Sequence, residues 1–149
     1  MSDIYVTKRN GKRELLNVEK INEVIDNACE GLRNVSPSDI AMKAHIQFYD
    51  GITTSDIQEM IIKSAKDLIS EFAPDYSKAA ARSLVFHIRK QVFGQYEYPD
   101  FYEHVTDNVE LYKYDPEILQ KYTEQEIREL GNYLDTERDC DFDYAAMVQ

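Results

Sequence analysis

The chain of 149 residues is poor in several residue types and patterns, and each scarcity narrows the classes of protein it can belong to. It has two cysteines, Cys29 and Cys140, which lie far apart. Such spacing excludes a disulfide-stabilised scaffold and fits a reduced, cytoplasmic protein. No apolar run approaches the roughly 20 residues of a membrane-spanning helix, and the Met-Ser-Asp start lacks the pattern of a signal peptide. We therefore predict a cytoplasmic protein with no membrane partner.

Glycine is also scarce, with five residues, and none of them belongs to a phosphate-binding loop. Neither GxxxxGKS, GxxxxGKT nor GxGxxG occurs, so a nucleotide would have to be held in another way. No Ser/His/Asp or Cys/His arrangement indicates nucleophilic catalysis, and no spacing of ligand residues indicates a metal site. We predict no catalytic residue and no metal ligand, and interpret His45 and His104 as structural.

Positive charge is scarce in the last third of the chain. The net charge is −11, from 17 Lys and Arg against 28 Asp and Glu. Residues 1–94 carry thirteen basic and thirteen acidic residues, so their formal charges cancel. Residues 95–149 carry the remaining four basic and fifteen acidic residues and therefore hold the whole negative excess. An acidic surface repels a phosphate backbone, which argues against a nucleic-acid partner.

What the sequence does contain, at its start, is a cluster of basic residues around Asn10-Gly11. This dipeptide favours a two-residue hairpin turn, so we predict strands over residues 4–9 and 12–16. That register sets Lys8 opposite Arg13. Like charges opposite each other destabilise a hairpin, and an anion such as polyphosphate would neutralise them.

Apolar residues at helical spacing, with capping residues at the ends, predict four helices after the hairpin. The first three cover about 18–32, 36–49 and 53 to the Ala73-Pro74 break, and the fourth covers 76–93. Shorter helical segments follow over 100–112 and 115–122, and the Thr123–Glu126 stretch has the form of a capping box. The predicted fold class is mainly α, with a small β-hairpin over a four-helix bundle in residues 1–94 and a helical extension in residues 95–149.

Basic and hydrogen-bonding groups from several of these elements are candidates for a triphosphate site. At the start of the third helix, Thr54 would offer free N–H groups and the positive end of the helix dipole. Alternatively, the lysines are solvated and Thr54 is only a cap. Glu14 fits either a hydrogen bond from a nucleoside or a salt bridge to a nearby lysine. The candidate groups are Lys8, Arg9, Lys20, Thr54, His87 and Lys90.

These residues carry a family resemblance. Four stretches resemble the ATP-cone domain: Val6–Gly11, Asn17–Ile21, Asp50–Ile57 and Ala79–Arg82. Others resemble the N-terminal region of the large (alpha) subunit of class Ia ribonucleotide reductase, of the bacterial and phage type: His45–Gly51, Ala73–Tyr76, Phe86–Lys90 and Tyr112–Asp115. The closing stretches around Glu137–Asp139 and Tyr144–Ala146 resemble the entry to that subunit's catalytic region.

The resemblance implies an overall-activity switch that binds ATP in the active state and dATP, at the same site, in the inhibited state, with Mg²⁺. By this resemblance the phosphates would contact Lys8, Arg9, Lys20, Thr54 and Lys90. The base and sugar would contact Val6, Glu14, Leu16, Asn17, Ile21, Phe86 and His87. Asp56 resembles a position that matters for the dATP response.

Two departures from the family pattern bear on this expectation. Gln58 stands where family members carry histidine, and Gln cannot become cationic, so the strength of dATP inhibition is open. Neither Cys29 nor Cys140 matches a catalytic cysteine, so this chain alone is not expected to reduce nucleotides. The family's redox cysteines and barrel would lie beyond residue 149, and we expect residues 95–149 to be only marginally ordered without them.

The resemblance also implies partners, namely the reductase catalytic region and the radical-generating small subunit. The docking face would lie near Ser36–Lys43, and an effector-dependent homo-oligomer is compatible with the family. Two alternatives remain at this point. A transcription regulator with a cone would carry paired CxxC motifs, which are absent here. A helical interaction module that has lost nucleotide binding is the other.

Overall fold

A computed structural model describes residues 4–149 and divides them into two compact units. The first unit runs to Ile88 and includes residues 139–149, and the second covers Arg89–Arg138. The first begins with a two-stranded antiparallel hairpin and continues in helices, which confirms the predicted fold class. The predicted domain boundary at residue 94 stays a prediction. Within residues 4–149, no helix combines the length and apolar character needed to cross a membrane.

The hairpin precedes eight α-helices and one 3₁₀ helix in the described residues. The strands are β1 (Tyr5–Thr7) and β2 (Arg13–Leu15). The helices of the first four-helix series are α1 (Val18–Cys29), α2 (Pro37–His45), α3 (Thr54–Lys66) and α4 (Tyr76–Phe93). The later ones are α5 (Phe101–Glu110), α6 (Glu117–Lys121), α7 (Glu124–Gly131), the 3₁₀ helix Thr136–Asp141 and α8 (Tyr144–Val148).

The hairpin register differs by one residue from the prediction. Val6 pairs with Glu14, and the Lys8 N–H donates to the Lys12 carbonyl at 2.8 Å, so the predicted pairing of Lys8 with Arg13 is wrong. The loop has three residues, closed by the Gly11 N–H donating to the Lys8 carbonyl at 2.9 Å. Within this loop, Gly11 alone has a positive φ, at 79°. A type I turn followed by a residue in the left-handed conformation has this geometry.

Both hairpin strands are held by the loop that precedes α3. The Thr7 N–H donates to the Ile52 carbonyl at 2.9 Å, and Gly51 donates to the Tyr5 carbonyl at 2.7 Å. The Asp50 carboxylate accepts from the Tyr5 N–H and from the Arg13 guanidinium, each at 2.9 Å. The Tyr5 hydrogen bond, followed by that of Arg13, lowers the pKa of Asp50. The basic turn is therefore tied to the start of α3 by backbone pairing.

The core of the first unit joins the hairpin to α1, α2, α3 and the first half of α4. Ile25, Ile40, Ile52 and Ile61 are each almost completely buried at its centre. Helix α2 packs against both α1 and α3. Small residues on α4 complete the core, because Ala79, Ala80 and Ala81 are all fully buried and let the helices approach closely.

The apolar spacing of the fourth helix predicts an inward face made of Ala79, Ala80, Leu84, Ile88 and Val92, and the structure places part of this face differently. Ala79 and Ala80 are buried as expected, but Ile88 and Val92 are 40% and 64% exposed. The buried positions after Ala80 are instead Ala81, Ser83, Val85 and His87. Apolar spacing alone therefore did not identify the buried face of α4, because tertiary packing decides which face of a helix is covered.

Within the second unit, α5 packs against α7. A Cβ at Gly131 would lie 2.7 Å from the Cβ of Phe101, so only glycine permits this approach. Arg128 bridges the helix starts, with 2.7 Å to the Asp100 carboxylate and 2.8 Å to that of Glu124. The capping box at Thr123 and Glu126 is present as predicted.

Candidate functional site

One face of the hairpin combines an apolar, a basic and an acidic residue from the predicted site. Side chains alternate along a strand, so Val6, Lys8 and Glu14 share this face in the observed register. Val6 is only 3% exposed, and the Lys8 ammonium lies 2.8 Å from the Glu14 carboxylate. The salt bridge that the sequence left as an alternative for Glu14 is therefore present.

The one-residue change in register is what makes this ion pair. In the predicted register, Glu14 would stand opposite Thr7 and its side chain would leave by the face that Lys8 does not occupy. In the observed register, Glu14 is the diagonal neighbour of Lys8 on the same face. A charged pair at 38% and 48% side-chain exposure is open to competition from a ligand.

The N-terminus of α3 lies directly beside β1. Thr7 forms a parallel bridge with Thr53, the N-cap residue, whose hydroxyl accepts from the Asp56 N–H at 3.0 Å. Thr54 is the first residue of the helix. The N–H groups of a helix's first turn have no carbonyl partner within the helix and form its positive end. The bridge therefore places the end of β1, which immediately precedes Lys8 and Arg9, beside the N-terminus of α3, where an anion is favoured.

The start of α1 supplies the next predicted residues. The Asn17 side chain caps the helix by accepting from the Lys20 N–H at 2.9 Å, which confirms the predicted cap. Ile21 is 8% exposed and belongs to the core, and Leu16 packs against that core. The side chain of Lys20 is exposed at the first turn.

His87 of α4 is the most deeply placed ionisable group of the predicted set, at 5% exposure. Burial lowers the pKa of His87; the negative charge of Glu59 raises it and the positive charge of Arg9 lowers it. A neutral imidazole carries one donor and one acceptor nitrogen. Among the described residues, none bonds to the buried Nδ1. His87 can therefore offer a hydrogen bond, rather than a charge, to a ligand.

Three further predicted residues, Gln58, Phe86 and Lys90, lie on α3 and α4. Gln58 of α3 is 8% exposed, and Phe86 precedes His87 on α4 and is half-buried. Lys90 belongs to the second unit, where its ammonium lies 4.9 Å from the centre of the Tyr96 ring. That cation–π contact was not predicted; the aromatic stretch after Gly94 was its only signal in the sequence. Glu59, which acts on His87, was missed as well.

The described part of the chain holds no group of three or more His, Cys, Asp or Glu residues placed to bind a metal ion. What the first unit brings together is instead a basic turn, a helix N-terminus, a neutral histidine and apolar walls. This set suits a polyanion that carries an apolar or aromatic part. The class defined by the fold and these residues is a helical, hairpin-capped binding domain without a glycine-rich loop.

Comparison with known proteins supports this class. Residues 4–91 match the ATP cone domain. Since the match covers more than half of the chain, the chain belongs to the ATP cone domain family, and the resemblance drawn from the sequence is confirmed.

Individual relatives match nearly the whole chain. It is 52% identical over 147 residues to the ribonucleoside-diphosphate reductase 1 subunit alpha of Escherichia coli K12, covering 99% of this chain and 19% of that protein. The Salmonella typhimurium LT2 subunit is 53% identical, with 98% and 19% covered. The ribonucleoside-diphosphate reductase subunit alpha of Enterobacteria phage T4 is 40% identical, with 100% and 20% covered. The chain thus spans about one fifth of the length of these curated relatives.

Proposed function

We propose that this chain is an allosteric nucleotide-binding module of a ribonucleoside-diphosphate reductase alpha subunit. ATP would bind in the active state and dATP in the inhibited state, with Mg²⁺ held by the phosphate oxygens. The observation that carries the proposal is the Thr7–Thr53 bridge, because it joins the basic hairpin to the N-terminus of α3. Membership of the ATP cone family and the similarity to alpha subunits support it.

The triphosphate would be held by charge and by helix N–H groups. Lys8 and Arg9 would contribute from the hairpin, Lys20 from α1 and Lys90 from α4, with Thr54 at the start of α3. The sequence places no glycine-rich loop near these residues, so cations and one helix terminus would replace it. Lys8 would have to exchange Glu14 for a phosphate oxygen when the ligand binds.

The nucleoside would lie against the apolar and neutral groups of the proposed site. The base and sugar would contact a set that combines buried side chains with hydrogen-bonding ones: Val6, Glu14, Leu16, Asn17, Ile21, Phe86 and His87. Release from Lys8 would free the Glu14 carboxylate to accept from an amino or hydroxyl group. Gln58 would add a neutral hydrogen-bonding side chain where a histidine could become cationic.

The partners would be the reductase catalytic region and the radical-generating small subunit, with docking near Ser36–Lys43. The start of α2 is held in place by a hydrogen bond, because the Ser36 N–H donates to the buried Tyr76 hydroxyl at 3.0 Å. Met42, one turn before the end of α2, is 65% exposed and offers an apolar contact. Docking that depends on effector requires the ligand to bind the docking-competent cone more tightly than the free one.

Calorimetric titration with ATP and dATP in magnesium tests the nucleotide site. We compare the unaltered chain with Lys90→Ala and with Lys78→Ala, which removes an exposed lysine from the other end of the same helix. We expect micromolar binding that weakens about tenfold, or roughly 1.4 kcal/mol, in Lys90→Ala and stays unchanged in Lys78→Ala. A tighter fit for dATP would mark an off-switch that works with Gln58.

No heat with either nucleotide, from protein that melts cooperatively, would contradict the proposal. The helical interaction module that has lost its ligand would then take its place. Equal weakening by both substitutions would show a diffuse electrostatic effect instead of a defined site.

A further inference from the structure

The last described segment folds back onto the helices that carry the proposed site. Residues 139–149 belong to the first unit. The Tyr144 N–H donates to the Ser77 hydroxyl at 3.1 Å, and the Tyr144 side chain packs against the core. Asp143 caps α8 by accepting from the Ala146 N–H at 2.8 Å. The segment is thus anchored to the first turn of α4 at a defined place.

Tyr144 also forms part of the wall of a groove of about 340 Å³ between α3 and α4. Leu84 and His87 line it from α4, one turn apart on one face. The remaining lining residues come from α3 and are Glu59, Ile62, Lys63 and Lys66. Tyr144 therefore lies at a groove that both helices line, where its ring can restrain them relative to each other, because close-packed side chains transmit small displacements.

His87 belongs both to this groove and to the proposed nucleotide site. It lines the same groove as Tyr144, and burial, followed by the positive charge of Arg9 in the basic turn, lowers the pKa of His87. Its Nδ1 is one of the buried nitrogens to which no described residue bonds. A ligand that engages this ring from the hairpin side changes the position or hydrogen bonding of a group that lines the same groove as Tyr144.

We propose that Tyr144 is a positioning residue for the nucleotide site, and that nucleotide binding and docking of residues 139–149 strengthen each other. The inference rests on the function proposed above. Tyr144 holds α3 and α4 so that His87 presents its ring to the nucleoside, and the bound nucleoside in turn fixes His87 in the wall of the groove that Tyr144 also lines. Coupling of this kind is reciprocal, so each event raises the equilibrium constant of the other by the same factor.

Two measurements on the full chain test the coupling. Hydrogen exchange of the peptide covering residues 139–149 is followed with and without saturating ATP or dATP, and calorimetry gives the nucleotide affinities. The variants are Tyr144→Ala, Ser77→Ala, which removes only the anchoring acceptor, and Val148→Ala, which alters a 56% exposed residue of the same helix as a control.

We expect nucleotide to slow exchange in residues 139–149 at least threefold in the unaltered chain. Tyr144→Ala should abolish this slowing and weaken nucleotide binding by about three- to tenfold, and Ser77→Ala should do both to a smaller extent. Val148→Ala should change neither. Ser77→Ala retains the Tyr144 ring and so gives a reading if Tyr144→Ala does not fold.

The inference is overturned if the chain binds nucleotide while exchange in residues 139–149 is unaffected and both variants keep full affinity. It is also overturned if Tyr144→Ala lowers thermal stability but leaves affinity and the nucleotide-dependent slowing intact, since Tyr144 would then be structural only. Absence of nucleotide binding in the unaltered chain is a different result, because it refutes the proposed function itself.

Discussion

The Lys8–Glu14 ion pair leads to a prediction about ligand selection. If the two residues must separate when a nucleotide binds, then Glu14 penalises any polyphosphate that gives it no hydrogen-bond donor in exchange. Replacing Glu14 by glutamine removes the competing charge and keeps the shape of the side chain. The variant should therefore discriminate less between ATP and bare tripolyphosphate.

The magnitude follows from the exposure of the pair. With side chains 38% and 48% exposed, the pair itself is worth at most about 1 kcal/mol. For an assumed separation of about 6 Å between Glu14 and each phosphate charge, removing the negative charge gains roughly 0.7 kcal/mol per charge in water, and salt reduces the sum. A net gain of about 1 kcal/mol corresponds to roughly fivefold tighter tripolyphosphate binding.

For ATP this gain is offset. A hydrogen bond from the nucleoside to a carboxylate contributes about 1.5–3 kcal/mol, against about 1 kcal/mol for one to a neutral amide. The loss cancels most of the electrostatic gain, so ATP affinity should change by less than about threefold. The ratio of the two affinities should fall about fivefold in Glu14→Gln.

The assay is calorimetric titration of both ligands in magnesium at fixed ionic strength. Glu23→Gln is the matched control, since it removes one carboxylate from an exposed position of α1. If Glu14→Gln tightens ATP and tripolyphosphate by the same factor, Glu14 contributes only repulsion and makes no contact with the nucleoside. If neither affinity changes, Lys8 does not exchange partners.

Two further predictions concern stability. Tyr76→Phe should lower the free energy of unfolding by about 1–2 kcal/mol in urea denaturation, because the Ser36 N–H loses its acceptor beside a residue only 5% exposed; an unchanged midpoint would contradict this. The hydrogen bond from Tyr5, and next that from Arg13, lowers the pKa of Asp50, so its contribution is present above the unfolded value of about 3.9 and is lost as pH falls through the lower folded pKa. The difference in melting temperature between the unaltered chain and Asp50→Asn should thus be constant near neutral pH and shrink in acid, and a difference that grows in acid would refute it.

The starts of the helices were the most predictable part of the fold. Asn17, Ser36 and Thr53 each accept a backbone N–H three residues later, at the predicted helix starts. The range of α4, Tyr76–Phe93, is as predicted. Caps are local interactions between residues a few positions apart, so their residue types are visible in a single sequence. Three helix ends were less accurate, because α1, α2 and α3 stop at Cys29, His45 and Lys66, earlier than predicted.

The candidate site was predictable as a set of residues but not as an arrangement. The basic hairpin and His87 were identified by residue type and family resemblance. The partner of Lys8 was not, because a difference of one residue in the hairpin loop decides on which face Glu14 lies. The effect of Glu59 on His87 and the place of Tyr144 in the groove that His87 lines also depend on packing between residues distant in sequence.

By itself, then, the sequence determined the family, the helical class, the helix starts and the residues available for an anion, because each of these depends on residue identity and short spacing. Only the tertiary structure decided which side chains meet. The pairing of Thr7 with Thr53, the Lys8–Glu14 ion pair and the return of Tyr144 to Ser77 join elements whose relative placement follows from burying a common core. Packing of that core selects one register and one set of contacts from several that local preferences allow equally well.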